Sequence, residues 1–177
     1  MTRPAVFLDR DGVLNTSVVI SGVPKPPASV SELELLPGVV EACDLLRSAG
    51  LPLICVTNQP DIARGAADRA TVDAINERLQ EQLGLTLVVV CPHDDADNCK
   101  CRKPRPGMLT AAAADLDVDL AKSVMVGDRW RDIAAGRSAG TATIFVDRGY
   151  DEQAPDMADL TVSELKEATG WIIERLA

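Results

Sequence analysis

The chain has 177 residues, 46% hydrophobic and 25% charged, which suits one soluble globular domain able to bury a core without disulfides. Its net charge of -9 and its 3% aromatic content argue against a general nucleic-acid binder, which needs a basic face and stacking platforms. No apolar run approaches the ~20 residues of a membrane span, and the apolar stretch after Met1-Thr2-Arg3-Pro4 is too short for a signal peptide, so a monomeric cytoplasmic domain over residues 1–177 with no membrane partner is expected.

The first element is a buried strand, the continuous apolar run Ala5-Val6-Phe7-Leu8, which ends at Asp9. Thr16–Leu36 is irregular and contains Pro24, Pro26 and Pro27, so it reads as a loop or flap. A helix follows, with Val39, Cys43 and Leu46 at i, i+4 and i+7 and Gly50 as its stop. Leu53–Val56 is the next strand and runs into Thr57-Asn58-Gln59. Ala70–Leu83 predicts a helix, with Val72, Ile75, Leu79 and Leu83 on one face and Gly84 closing it. The β-branched run Leu85–Val90 predicts a strand that leads into a cysteine cluster. Met108–Leu116 and Arg131–Ala139 predict helices on either side of the strand Ser123–Val126, which is followed by Gly127-Asp128. Ala142–Val146 is a fifth strand. Ser163–Leu176 is a terminal helix with Ser163 as its cap and Leu165, Ala168, Ile172 and Leu176 as its stripe.

Alternation of this kind predicts an α/β fold: a doubly wound, mostly parallel, Rossmann-like sheet with helices on both faces. Ligands bind such sheets outside the carboxyl ends of the strands. The polar residues after the first four strands therefore gather at one edge, although they are far apart in sequence.

Each cluster has its own chemistry. In Asp9-Arg10-Asp11-Gly12, two carboxylates two residues apart can face one pocket and repel unless a cation lies between them. Mg²⁺ accepts such oxygen ligands together with phosphate. One carboxylate can attack phosphorus, and the other can move protons. Thr57-Asn58-Gln59 offers a hydroxyl and amides to phosphate oxygens. Cys91, His93, Cys99 and Cys101 form C-x-H-x5-C-x-C, a closed ligand set for a structural Zn²⁺, and His93 is the only histidine in the chain. Cys43 and Cys55 lie in apolar patterns and read as core. Arg102-Lys103 follows the cysteines directly and supplies positive charge for a phosphoryl group. Asp128 can complete a Mg²⁺ site. Asp132, four residues on, reads equally as metal support or as a helix cap.

Together, Asp9-Arg10-Asp11-Gly12, Thr57-Asn58-Gln59, Arg102-Lys103-Pro104 and Gly127-Asp128 resemble the haloacid dehalogenase superfamily of phosphohydrolases. The cysteine cluster narrows the resemblance to the D-glycero-D-manno-heptose 1,7-bisphosphate phosphatases and the related histidinol-phosphatase domain. It implies Asp9 as nucleophile, Asp11 as general acid/base, and Thr57 and Lys103 as stabilisers of the phosphoryl group. Mg²⁺ would be held by Asp9, the backbone carbonyl of Asp11, and Asp128. Asn58, Gln59, Arg102 and Arg129 would bind the substrate, a small phosphorylated sugar. The implied reaction removes the 7-phosphate of heptose 1,7-bisphosphate, with histidinol phosphate or another small phosphate ester as the alternative. Arg129 stands where the heptose enzymes have lysine, and Pro60-Asp61 where they carry a small pair. No span is long enough for a separate cap domain, so the 16–36 loop and the zinc loop must control access. A phospho-accepting receiver domain would share the strand-end aspartate, but Asp11 would shorten its phosphorylated life. A zinc-dependent nucleic-acid module conflicts with the charge of -9.

Overall fold

The computed structural model describes residues 2–20 and 23–176. Its central sheet contains β1 (Val6–Leu8), β4 (Leu53–Asn58), β5 (Leu87–Cys91), β6 (Val124–Gly127), β7 (Ala142–Val146) and β8 (Leu160–Val162), in the order β5-β4-β1-β6-β7-β8. Every pairing in it is parallel. From β1 the chain winds outward to β4 and β5, then returns to β6 and continues the other way. The winding therefore reverses at β1, which is the kind of switch point where open α/β sheets bind ligands.

Side chains alternate across the strands and feed two cores. Val6, Leu8, Leu53, Cys55, Val124, Val126 and Ile144 face the helices α1 (Val39–Ser48), α2 (Arg69–Leu83) and α5 (Leu165–Leu176). Phe7, Ile54, Val56 and Met125 face α3 (Gly107–Asp115) and α4 (Trp130–Ala139). The central strands have no wet face, so they read as unbroken apolar runs in the sequence. α2 starts at Asp68, whose side chain accepts from the Thr71 amide at 3.2 Å, and stops at left-handed Gly84. At the start of α5, the Ser163 hydroxyl donates to Glu167 at 2.8 Å.

The five expected strands and five expected helices are present, with boundaries shifted by at most two residues. Two elements differ from expectation. The 16–36 segment contains the antiparallel hairpin β2 (Val18–Ile20) and β3 (Val23–Lys25), followed by a 3-10 turn at Val30–Glu32. Ser21 and Gly22 lie outside the described residues. Pro24 is tolerated in β3 because both strands of a two-stranded ribbon are edges, and one side needs no amide donor. The second difference is β8, a three-residue edge strand that the reading of the sequence lacked. Among the described residues, no helix is long and apolar enough to cross a membrane.

Candidate active site

The turn after β1 is built around a buried arginine. The Arg10 carbonyl accepts from Leu14 N at 2.8 Å and Asn15 N at 3.2 Å, so the chain reverses immediately after Asp9. Gly12 sits at φ +86, and a Cβ there would lie 1.8 Å from Asp128 Oδ2. Glycine is thus required twice, for the left-handed backbone and for the close approach of β1 and β6.

Asp9 (β1 end), Thr57 (β4 end) and Asp128 (β6 end) are all buried and converge on one cleft of about 310 Å³. Lys103 enters from the segment after the cysteine loop and is 2% exposed. Its Nζ donates to Asp9 Oδ1 at 2.7 Å and to the Val56 carbonyl at 2.7 Å, and it pairs with Asp132 Oδ1 at 2.7 Å. Burial would push Lys103 down, but Asp132 and Asp9 more than offset this and hold the ammonium charged. Asp132 also accepts from the Arg129 amide at 3.0 Å through its other oxygen, so it both caps α4 and anchors the lysine. Gly127 lets it in, since a Cβ there would lie 2.0 Å from Asp132 Cβ.

Asp9, Asp128 and Asp132 can each bring an oxygen within 4.8 Å of the others. Against these three carboxylates stands the single ammonium of Lys103. Burial first, then the charge of Asp132, pushes the Asp9 carboxyl up to about 6. Burial, Asp9 and Asp132 raise Asp128 well above the usual carboxylate range. Asp128 Oδ1 is buried with no hydrogen-bond partner. A surplus of buried negative charge and an orphaned carboxylate oxygen together suit a hard divalent cation. The Asp11 carboxylate is not in this cluster, in keeping with a contribution to metal binding through its carbonyl alone.

Asp11 instead lies in a cage of donors. It accepts from Arg10 Nε at 3.2 Å, Arg10 Nη2 at 3.0 Å, Asn15 Nδ2 at 2.9 Å and Gln59 Nε2 at 2.8 Å. Gln59 also donates to Thr57 Oγ1 at 2.9 Å, which joins the β1 and β4 strand ends. Asn58 lines the cleft, but its amide grips the Lys103 backbone in both directions at 3.1 Å, so its contacts within the chain position the lysine.

Cys91, His93, Cys99 and Cys101 meet in the segment whose Asp95 and Arg102 line the cleft. Their sulfurs are 3.2–3.7 Å apart, and His93 Nδ1 is 3.3 Å from Cys101 Sγ. The edge of a tetrahedron with Zn–S bonds of about 2.3 Å is about 3.8 Å, so this donor set fits zinc closely. The acidic residues of the same loop hold the rim arginines. Asp95 accepts from Arg102 at 2.8 Å and Arg131 at 3.1 Å, and Asp94 accepts from Arg64 at 2.7 Å. Arg129 is paired with Glu152.

Asp9, Asp11, Thr57, Asn58, Gln59, Arg102, Lys103 and Asp128 line one cleft, Cys91, His93, Cys99 and Cys101 form a separate cluster, and Arg129 lines the cleft while bound to Glu152. Reading the sequence missed Arg10, Asn15 and Tyr150. The Tyr150 hydroxyl lies 3.0 Å from where a Gly12 Cβ would be, on the side of Asp128. The one available signal was the position of Arg10 and Asn15 on either side of the apolar pair Val13-Leu14.

A family model described as HAD-hydrolase-like matches residues 100–168. The D-glycero-D-manno-heptose-1,7-bisphosphate 7-phosphatase of Thermosynechococcus vestitus is 38% identical, over the whole of this chain and 99% of its own. The Escherichia coli K12 enzyme named D-glycero-beta-D-manno-heptose-1,7-bisphosphate 7-phosphatase is 33% identical, over 98% of this chain and 90% of its own. Among solved structures, the D,D-heptose 1,7-bisphosphate phosphatase of B. bronchiseptica, complexed with magnesium and phosphate, superposes with a TM-score of 0.80 at 31% identity, covering 97% of this chain and 98% of the other. Whole-length identity with these enzymes, on a parallel sheet whose acidic cleft lies at the strand ends, shows that this chain is a phosphatase of the HAD-like family, on the branch of the heptose-bisphosphate phosphatases.

Proposed function

We propose that the chain is a single-domain, cytoplasmic, monomeric enzyme that removes the 7-phosphate of D-glycero-D-manno-heptose 1,7-bisphosphate through an aspartyl-phosphate on Asp9. The observation that carries the mechanism is the cluster of Asp9, Asp128 and Asp132 around Lys103, with Asp128 Oδ1 left without a partner. The substrate assignment rests on the relatives.

Asp9 attacks phosphorus while Asp11 gives a proton to the leaving sugar oxygen. Asp11 then takes a proton from water, whose oxygen attacks the phosphorus and frees Asp9. Lys103 and Thr57 balance the charge that builds on the phosphoryl oxygens. Asp9, the Asp11 carbonyl and Asp128 would hold Mg²⁺, which neutralises phosphoryl charge when bound. Arg102, Gln59, Asn58 and Arg129 line the cleft and would contact the substrate.

The test is phosphate release with Mg²⁺, comparing kcat/KM for heptose 1,7-bisphosphate and histidinol phosphate. The heptose ester is expected to be preferred. Equal and low rates on both would overturn the substrate assignment, and the absence of Mg²⁺-dependent release from any ester would overturn the mechanism.

The zinc reading has its own check. Elemental analysis is expected to find one zinc per chain, lost in Cys99→Ser. Because the loop holds Arg102, Arg131 and Arg64 through Asp95 and Asp94, that variant is expected to raise KM by about tenfold with a smaller change in kcat. A zinc-free wild type with normal KM would refute it.

A further inference from the structure

Arg10 is the largest fully buried side chain in the protein, at 0% exposure. A buried guanidinium needs partners on every edge it presents, because an unpaired charge in the interior is costly. Its Nε and Nη2 face Asp11. Its Nη1 points the other way, across 66 residues of sequence, and donates to Asn76 Oδ1 at 2.9 Å. Asn76 lies on α2, is 6% exposed, and interrupts the apolar stripe of Val72, Ile75, Leu79 and Leu83. An amide there costs desolvation that leucine would not. Its bond to Arg10 offsets the cost.

We propose that Asn76 is a positioning residue for the general acid/base Asp11, acting through Arg10. With Nη1 fixed on α2, the guanidinium plane cannot turn about its stem, and its Nε/Nη2 edge stays on the Asp11 carboxylate. Gln59 at 2.8 Å and Asn15 at 2.9 Å complete the orientation from β4 and from the β1 turn. α2 therefore contributes to catalysis without lining the cleft. Freed from Asn76, Arg10 would follow Asp11 through several rotamers, and the proton donor would lose its aim at the leaving oxygen.

This rests on the reading of Asp11 as general acid, and leaving-group dependence separates the two ideas. An alkyl phosphate needs a proton delivered to its oxygen as the P–O bond breaks and the Asp9–phosphorus bond forms. p-Nitrophenolate leaves without one. The parameter kcat/KM reports only the steps through that first transfer, so the later hydrolysis of the aspartyl-phosphate does not enter. The quantity read is kcat/KM on heptose 1,7-bisphosphate divided by kcat/KM on p-nitrophenyl phosphate. Asn76→Leu, which fills the stripe but offers no acceptor, is expected to lower this ratio by about tenfold, a fraction of what general acid catalysis supplies. Asn76→Asp restores an acceptor for Arg10 and is expected to recover most of the ratio. If Asn76→Leu does not fold, Asn76→Ala, which removes the acceptor by truncation, carries the same comparison. Equal losses on both esters, or no recovery in Asn76→Asp, would reduce Asn76 to a structural residue. Asp11→Asn is the control. If it lowers the ratio strongly while the Asn76 variants do not, the present proposal fails and the role of Asp11 stands. If Asp11→Asn leaves the ratio unchanged, the role of Asp11 itself fails.

Discussion

Asp9→Asn is expected to lower Mg²⁺-dependent phosphate release by about 10⁴-fold or more, because it removes the nucleophile and no other group can form the covalent intermediate. Asp9 directly follows β1, and Lys103 holds its Oδ1 at 2.7 Å in the cleft. The loss is not a folding effect. In the metal-free chain the Asp9 carboxyl is pushed up to about 6 by burial and by Asp132, so its charge is disfavoured in the folded state. A carboxyl raised on folding costs stability above its folded pKa, and that cost fades as pH falls through about 6. The neutral amide avoids it, while Lys103 keeps Asp132 as a partner. The metal-free variant is therefore expected to melt no lower than wild type at neutral pH. Acid-quenched samples should show a phosphorylated peptide containing Asp9 in the wild type alone. A variant with more than a hundredth of wild-type activity would mean that another group attacks.

Most of the site was readable because strand ends carry it. Asp9, Thr57, Cys91 and Asp128 each follow a run whose apolar continuity marks a strand buried on both faces, and parallel winding sends those ends to one edge. The cysteine set was readable from spacing alone. What stayed hidden depends on pairing across long separations. Nothing local distinguishes Asp132 as cap from Asp132 as the partner of Lys103; it is both, and only Gly127's missing side chain admits it. Arg10 between two aspartates looks like a solvated turn, yet it is buried against α2. β8 was missed because three residues with exposed Thr161 at a sheet edge carry almost no pattern. The hairpin was missed because its prolines argue for loop unless both of its strands are edges.

The second large effect is expected at Lys103. Lys103→Met keeps the unbranched stem and removes the only ammonium among Asp9, Asp128 and Asp132. Two ion pairs at 2.7 Å are lost together, and the three carboxylates are left buried against one another. Removing one partner from a buried pair costs about 3–5 kcal/mol, because the remaining charge is stranded. The pH dependence distinguishes this from lost packing. Without Lys103, Asp9 meets only like charge, so its folded pKa rises further above the unfolded one. The deficit is then full at neutral pH and shrinks as acid protonates Asp9. Urea unfolding of the metal-free proteins should show it, with a gap between wild type and variant clearly smaller near about pH 5 than near about pH 7.5. An equal gap at both would assign the loss to packing. Activity is expected to fall by about 10²–10³-fold, since the lysine also faces the charge that develops on the phosphoryl group. Excess Mg²⁺ should restore part of the stability, because the cation replaces one positive charge in the cluster, but little of the rate, because it does not supply the donor that Asn58 aims from the Lys103 backbone.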